Sequence, residues 1–456
     1  MILVRRLAVT LALVPLLATS VPAQDEPDQP ILITNVSIFD GFSDTLATNM
    51  SVLVEGDHIT EVGSNITAPG AAVIDGGGRT MTPGLIDMHQ HVMINAPEGT
   101  AMYQTKWDDA AGGAFAIHHM NKNMLQKGIT TIRDIAGDPL DLAKAIQMGL
   151  LPGPRLYSSG GAISQIGGHG DWAGRNVPPE LLTNHMDMTQ RTQNSWSVSG
   201  PDEVTQAVRL NFRRGAAFIK VMGGGGVASE FDPLEIMGLA ADEVARAVEL
   251  AEDNGTYVAT HAYHDASYNR LLDLGVRSFE HGFLVTEPTV ERMASMGQDV
   301  AWSFQCFMSV SSFGDYDSMP EFFTHEQKLK GVSVGEGARN AARMMNEHDV
   351  FTISGSDMFT EAFVTRIKES ITCEVGAGYT AAQALTHWTG NAGTVLKWSG
   401  PYDPYPTYAL GTIAADAYAD LLLWDGNPLD DIDVILDEDR LDLIMKDGIV
   451  YKSALD

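Results

Sequence analysis

Only two cysteines, Cys306 and Cys373, occur in the 456 residues. That excludes a disulfide-stapled scaffold and a cysteine-rich zinc module. It leaves open whether the two thiols pair, because sequence alone cannot place them within bonding distance. Basic residues are also scarce: 29 Lys and Arg stand against 59 Asp and Glu, a formal net charge of −30. Such a chain lacks the basic face that phosphate backbones require, which argues against a nucleic-acid partner. The same deficit argues against docking on anionic lipid. Beyond the first residues, no apolar run reaches the roughly 20 residues of a membrane span. There is no Gly-x-Ser-x-Gly elbow, and neither cysteine lies in a nucleophile motif. The run Gly223-Gly224-Gly225-Gly226 lacks the Gly-Lys-Ser/Thr of a phosphate-binding loop, and reads instead as backbone able to approach a bound group closely. What is present is globular material, 44% hydrophobic and 19% charged, enough for a large core.

Met1 to Ala23 reads as a secretory signal. Arg5 and Arg6 precede the apolar stretch Leu7 to Leu17, and Val21-Pro22-Ala23 supplies small residues for cleavage before Gln24. A periplasmic or secreted location follows as an expectation, and a Cys306–Cys373 bridge would be permitted there. Residues 31–80, and later Ala419 to Trp424 and Leu443 to Tyr451, are short and β-rich with turn signals. They predict one small β-sandwich built from both ends, residues 24–82 and 399–456. The middle, residues 83–398, alternates short apolar runs with helix-period stretches. Eight candidate strands are found at 84–91, 129–135, 155–159, 218–222, 257–261, 278–281, 300–304 and 351–356. That count predicts an α/β fold, a (β/α)8 TIM barrel, with an open doubly wound sheet as the alternative. Three connections are long: 92–112, 162–200 and 306–323. All would leave the C-terminal end of the barrel, where barrel active sites lie.

Chemistry-bearing residues collect at these strand ends. In Thr82-Pro83-Gly84-Leu85-Ile86-Asp87-Met88-His89-Gln90-His91, residues two apart share a face, so His89 and His91 can both point to the barrel axis. Lys220, His261, His281 and Asp357 close later strands. Each has an ordinary alternative: a hydrogen-bonded structural histidine, a helix N-cap aspartate, a snorkelling lysine. Together they would put five potential ligands and one buried lysine on one face. Imidazoles and a carboxylate suit zinc and similar metals. A cationic lysine does not, unless burial frees its amine to add carbon dioxide and become an anionic carbamate. His118-His119 reads as structural, since adjacent helix residues do not share a face. His264-Asp265 could orient a ligand or face solvent.

In this order, on strands one, four, five, six and eight, the set resembles the amidohydrolase superfamily of metal-dependent barrel hydrolases. The likeness runs from about Ile31 to Tyr451. It includes the end string Leu410-Gly411-Thr412-Ile413 to Leu422, where Asp416 stands in place of the family's usual glycine. The resemblance implies two divalent metal ions, zinc by default, bridged by a carbamate on Lys220. His89, His91 and Asp357 would hold one ion and His261 and His281 the other. A metal-bridged hydroxide would attack an amide carbonyl, and Asp357 would be the catalytic proton carrier. The string Gly167-Gly168-His169-Gly170-Asp171 and the run His261-Ala262-Tyr263 are most similar to the prolidase and ochratoxin-amidase branch. There the resemblance implies that His169 and Tyr263 bind the carboxylate of a dipeptide or N-acyl amino acid; His169 could equally be a turn residue. A lactone, a cyclic amide or a deaminated small molecule is the alternative substrate class, and a non-catalytic binding protein a further one. The expected partner is thus a small molecule, with no nucleic acid and no membrane once the signal is removed. Relatives of this kind often form homo-oligomers, so the resemblance implies a possible homo-oligomer here.

Overall fold

In the computed structural model the described residues are 29–93, 109–178, 186, 188–319, 321, 323–358 and 361–455. The expected signal segment, 1–23, lies outside them, as do parts of all three long connections.

Five strands open the described chain: β1 (Ile31–Ile38), β2 (Ala47–Glu55), β3 (His58–Gly63), β4 (Ala72–Asp75) and β5 (Thr80–Pro83). Ten strands paired only in parallel follow. They are β6 (Leu85–Gln90), β7 (Ile129–Asp134), β8 (Arg155–Ser158), β9 (Ala162–Gln165), β10 (Ser195–Val198), β11 (Ile219–Met222), β12 (Val258–His264), β13 (Ser278–Leu284), β14 (Ala301–Phe304) and β15 (Thr352–Ser354). Every residue of β6, β7, β8 and β11 is buried, as expected of parallel strands covered on both faces. Helices such as Pro201–Arg214, Ala241–Asp253 and His325–Glu347 pack between them, so the architecture is α/β.

Eight of the ten strands are the apolar runs marked in the sequence. β9 and β10 correct the reading of 162–200 as a plain connection. Ala-Ile-Ser-Gln and Ser-Trp-Ser-Val are too short and too mixed to stand out, and they become strands by pairing with each other and with β11 through Ile163 and Val221. The pairing divides the strands into one sheet ordered β6-β7-β8 and another ordered β10-β9-β11-β12-β13-β14-β15. Single backbone bonds cross both seams: Ala217 N donates to Ser158 O at 2.8 Å, and Asp357 N to His89 O at 2.9 Å.

The last strands, β16 (Ala417–Tyr418), β17 (Leu421–Trp424), β18 (Leu441–Lys446) and β19 (Ile449–Ser453), join β1–β5 in one mixed sheet of nine strands. Strands from both ends of the described chain thus pair in one sheet, hydrogen-bonded continuously from β16 to β19. Alternation along β17 and β18 sorts the faces. Leu421, Leu423, Leu443 and Met445 pack with Ile33, Val52 and Val54, whereas Leu422, Trp424 and Ile444 join the core of the α/β unit. Arg155 on β8 ties the units electrostatically. It is buried, bonds Asp420 Oδ2 at 3.0 Å, pairs with Asp447, and lies 3.8 Å over the Tyr418 ring. Asp416 sits at φ 61°, the left-handed region where glycine is usual and aspartate is tolerated.

Cys306 and Cys373 are disulfide-bonded. The bond joins the segment after β14 to the helix Glu369–Gly376 across 67 residues of sequence. Closing a loop of that length in the unfolded chain stabilises the fold by about 4 kcal/mol in the chain-entropy model.

Candidate metal centre and active site

All eight residues singled out from the sequence line one cavity: His89, His91, His169, Lys220, His261, Tyr263, His281 and Asp357. The cavity encloses about 700 Å³ of atom-free space, part of it open to solvent. Met222, Val227, Trp172 and Phe313 form much of its apolar wall.

His89 and His91 lie at the end of β6, and their ligand nitrogens lie within 4.8 Å of each other and of a carboxylate oxygen of Asp357. His89 Nε2 and His91 Nε2 are each 3.4 Å from Asp357 Oδ1. Second partners fix which nitrogen faces inward. His89 Nδ1 donates to Glu280 Oε2 at 2.9 Å, so Nε2 carries the free lone pair. His91 Nδ1 faces the carbonyl of Ala136 at 3.2 Å, with the same result. In His261 the roles reverse: Nε2 faces the Gly225 carbonyl at 3.0 Å, leaving Nδ1 for the cavity. The His261 and His281 ring centroids are 4.5 Å apart, and His281 is 5.1 Å from His89.

Two of these positions depend on backbone that sequence does not announce. His281 has φ 69° and Asp357 φ 53°. In a regular strand Glu280 and His281 would face opposite ways. The left-handed turn at His281 lets both reach His89. Such residues cost of order 1–3 kcal/mol each and collect at functional sites. Gly355 is required beside them, because a Cβ there would lie 2.3 Å from His89 N.

Burial holds His261 and His281 well below the usual imidazole range and His169 down to about 3, so these rings stay neutral, the form that binds metals; at His91 burial is outweighed by the Asp357 carboxylate, which raises it. Burial acts to raise Asp357, but His89, His91 and His281 outweigh it and keep the carboxylate ionised. Burial brings Lys220 down to about 8, with Glu280 opposing and Arg133 assisting. Lys220 is 1% exposed, and no ion pair holds its amine among the described residues.

The donor set fits a divalent cation, with His89, His91 and Asp357 as the group whose ligand atoms lie closest together. Three oriented imidazoles, a fourth at His281, one ionised carboxylate and a buried amine of lowered basicity converge on one space.

Sequence reasoning missed the residues that orient the ligands. Glu280 is fully buried between His89 and Arg133, whose Nη2 lies 2.7 Å from Glu280 Oε1. Arg133 also donates to Met88 O at 2.7 Å and Ser278 Oγ at 2.9 Å. Asp87 accepts from His89 N at 3.0 Å, Ser356 N at 2.9 Å and Ser356 Oγ at 2.6 Å, so it clamps β6 to the loop carrying Asp357. The available signal was a charge inside an apolar strand. His264 and Asp265 are not part of the centre. Asp265 accepts from Thr286 N at 2.8 Å at the start of a neighbouring helix.

Residues 80–450 match the model of the amidohydrolase family. The ochratoxinase of Aspergillus niger is 30% identical over 335 residues, 72% of this chain and 66% of the relative, just under two thirds of its length. A prolidase solved in complex with N-methylphosphonate-L-proline has a TM-score of 0.81 and 29% identity, covering 93% of this chain and 100% of that one. A Xaa-Pro dipeptidase solved with methionine in its active site has a TM-score of 0.80 and 26% identity, over the same shares of the two chains.

Proposed function

The chain belongs to the amidohydrolase family, and from that premise we propose that it is a metal-dependent hydrolase of carbon–nitrogen bonds. Its substrate is a small amide or peptide bearing a carboxylate: a dipeptide or an N-acyl amino acid. The observation that carries this is the convergence of the eight residues on one cavity, with the ligand atoms of His89, His91 and Asp357 within 4.8 Å of one another. Eight of the ten parallel strands, β6–β8 and β11–β15, are read as one barrel with two seams, with β9 and β10 added beside it, and the cavity lies where the barrel strands end.

His89, His91 and Asp357 would hold one divalent ion, and His261 and His281 the second, with a carbamate on Lys220 between them. Zinc suits this donor set. When bound, the pair supplies an acidified water and polarises the scissile carbonyl. The chain's own residues do the rest. Asp357 takes the proton of the attacking water at its carboxylate and returns it to the leaving amine nitrogen. Glu280, held by Arg133, keeps His89 in its ligating tautomer. His169 and Tyr263 receive the substrate carboxylate, and the apolar wall of Met222, Val227, Trp172 and Phe313 excludes water around the amide. The relatives' ligands, N-methylphosphonate-L-proline and methionine, are small carboxylate-bearing molecules of the same kind. The Cys306–Cys373 bond supports export to an oxidising compartment.

The test is a panel of dipeptides and N-acyl amino acids, each beside its C-terminal carboxamide and a lactone set, assayed with zinc and bicarbonate. Amine release from free-carboxylate members, well above that from carboxamides, is expected. Turnover confined to lactones or cyclic amides would overturn the substrate reading.

A further inference from the structure

The segment between β11 and the helix Ala241–Asp253 curls over His169 and is held from behind by an unusual tie. Lys330, from the helix His325–Glu347, sends its ammonium to three carbonyls of this one segment: Gly226 at 2.5 Å, Ser229 at 2.7 Å and Asp232 at 3.1 Å. That uses all three donors of the amine. The Asp232 carboxylate has no exposed side-chain surface, accepts from Gly226 N at 2.7 Å, and lies 3.9 Å from Lys330 Nζ. The set ends on the imidazole. Ser229 Oγ is 2.7 Å from His169 Nδ1, and Asp232 Oδ2 is 3.7 Å from the same nitrogen.

We propose that Ser229, Asp232 and Lys330 are positioning residues that aim His169 into the cavity, a proposal that rests on the reading of His169 as a carboxylate-binding residue. A loop tie of purely structural purpose would need only the three carbonyl bonds. Here the tied segment contacts a ring that lines the site, and contacts it closely. A Cβ at Gly226 would lie 1.9 Å from His169 Nδ1, so the ring rests on bare backbone. On its other side His169 stacks on His261, with centroids 4.0 Å apart and planes 20° apart. The ring is therefore sandwiched, and its remaining freedom is rotation in its own plane. The Ser229 bond to Nδ1 removes that freedom and leaves Nε2 as the nitrogen for the cavity. A substrate carboxylate accepts from Nε2–H, so the Ser229 hydroxyl donates to the bare Nδ1 and fixes that tautomer. Gly225, in the same segment, orients His261 through its carbonyl. One tied segment thus sets a metal-facing imidazole and a substrate-facing one together.

The test compares Ser229→Ala and Lys330→Met with wild type in zinc-loaded enzyme. The probes are the N-acetyl-L-amino acid turned over fastest in the panel and its C-terminal carboxamide as a competitive inhibitor. Ser229→Ala is expected to raise KM about tenfold, with kcat within about threefold and metal content unchanged, the worth of one hydrogen bond to a charged ligand. The inhibition constant of the carboxamide should move less than about twofold. Lys330→Met should act in the same direction. Equal changes for acid and carboxamide, or none for either, in Ser229→Ala would overturn the proposal. His169→Ala run alongside separates the two readings. If it abolishes discrimination between acid and carboxamide while Ser229→Ala keeps it, the positioning role alone fails. If it too leaves discrimination intact, the carboxylate reading of His169 fails as well.

Discussion

At the scale of single residues, the site is made by a few side chains whose backbone is held in unusual conformations. Asp357 combines φ 53°, a backbone bond to His89 O at 2.9 Å, and an oxygen 3.4 Å from both His89 Nε2 and His91 Nε2. A neutral amide of the same shape can fill this space and keep the fold. It cannot accept a proton. Asp357→Asn is therefore expected to lower kcat by about 10³-fold, within the range for a lost general acid–base group, with the melting temperature close to wild type. Turnover within tenfold of wild type would remove Asp357 from the proton path. Neither left-handed position, His281 or Asp357, was legible in the sequence. Residue type and order showed which side chains take part, but φ depends on what the following loop packs against.

At the scale of elements, the strands were legible because parallel strands buried on both faces must be apolar, and each of the eight runs ends at a polar residue or a turn. β9 and β10 were not, because four-residue segments owe their strand character to their neighbours. The disulfide was not legible either, since it needs the segment after β14 to meet the helix Glu369–Gly376 in space. Glu280 and Arg133 stood inside predicted strands, but only the fold shows that they pair beneath His89. Lys368 marks a further junction, just before that same helix. It is 4% exposed, its amine has no hydrogen-bond partner among the described residues, and it lies 5.5 Å from the ring centroid of Trp424 on β17. Burial, opposed by Glu438 and assisted by Lys127, brings it down to about 8. The unfolded chain therefore holds more protons between about pH 8 and 10.4, and stability rises with pH across that window. Below it the penalty for a buried charge is fully present, on the order of 3 kcal/mol. Lys368→Met should raise stability at pH 7 by about 1–3 kcal/mol in denaturant unfolding, and the gain should shrink towards pH 10.5. A less stable variant at pH 7 would show that the ammonium is well solvated or paired.

At the scale of the whole molecule, a chain of net charge −30 is organised as an α/β unit with one nine-stranded sheet made from its two ends. Surface acidity is no guide to the interior, where cavity, ligands and a lysine of lowered basicity set the chemistry. The central claim is that this interior is a two-metal centre bridged through Lys220. Elemental analysis of purified wild type and Lys220→Ala, each loaded with zinc and bicarbonate and then freed of unbound ions, tests it most directly. The account predicts about two equivalents per chain in wild type and less than one in the variant. Equal metal content in the two proteins, or no retained metal in wild type, would contradict it.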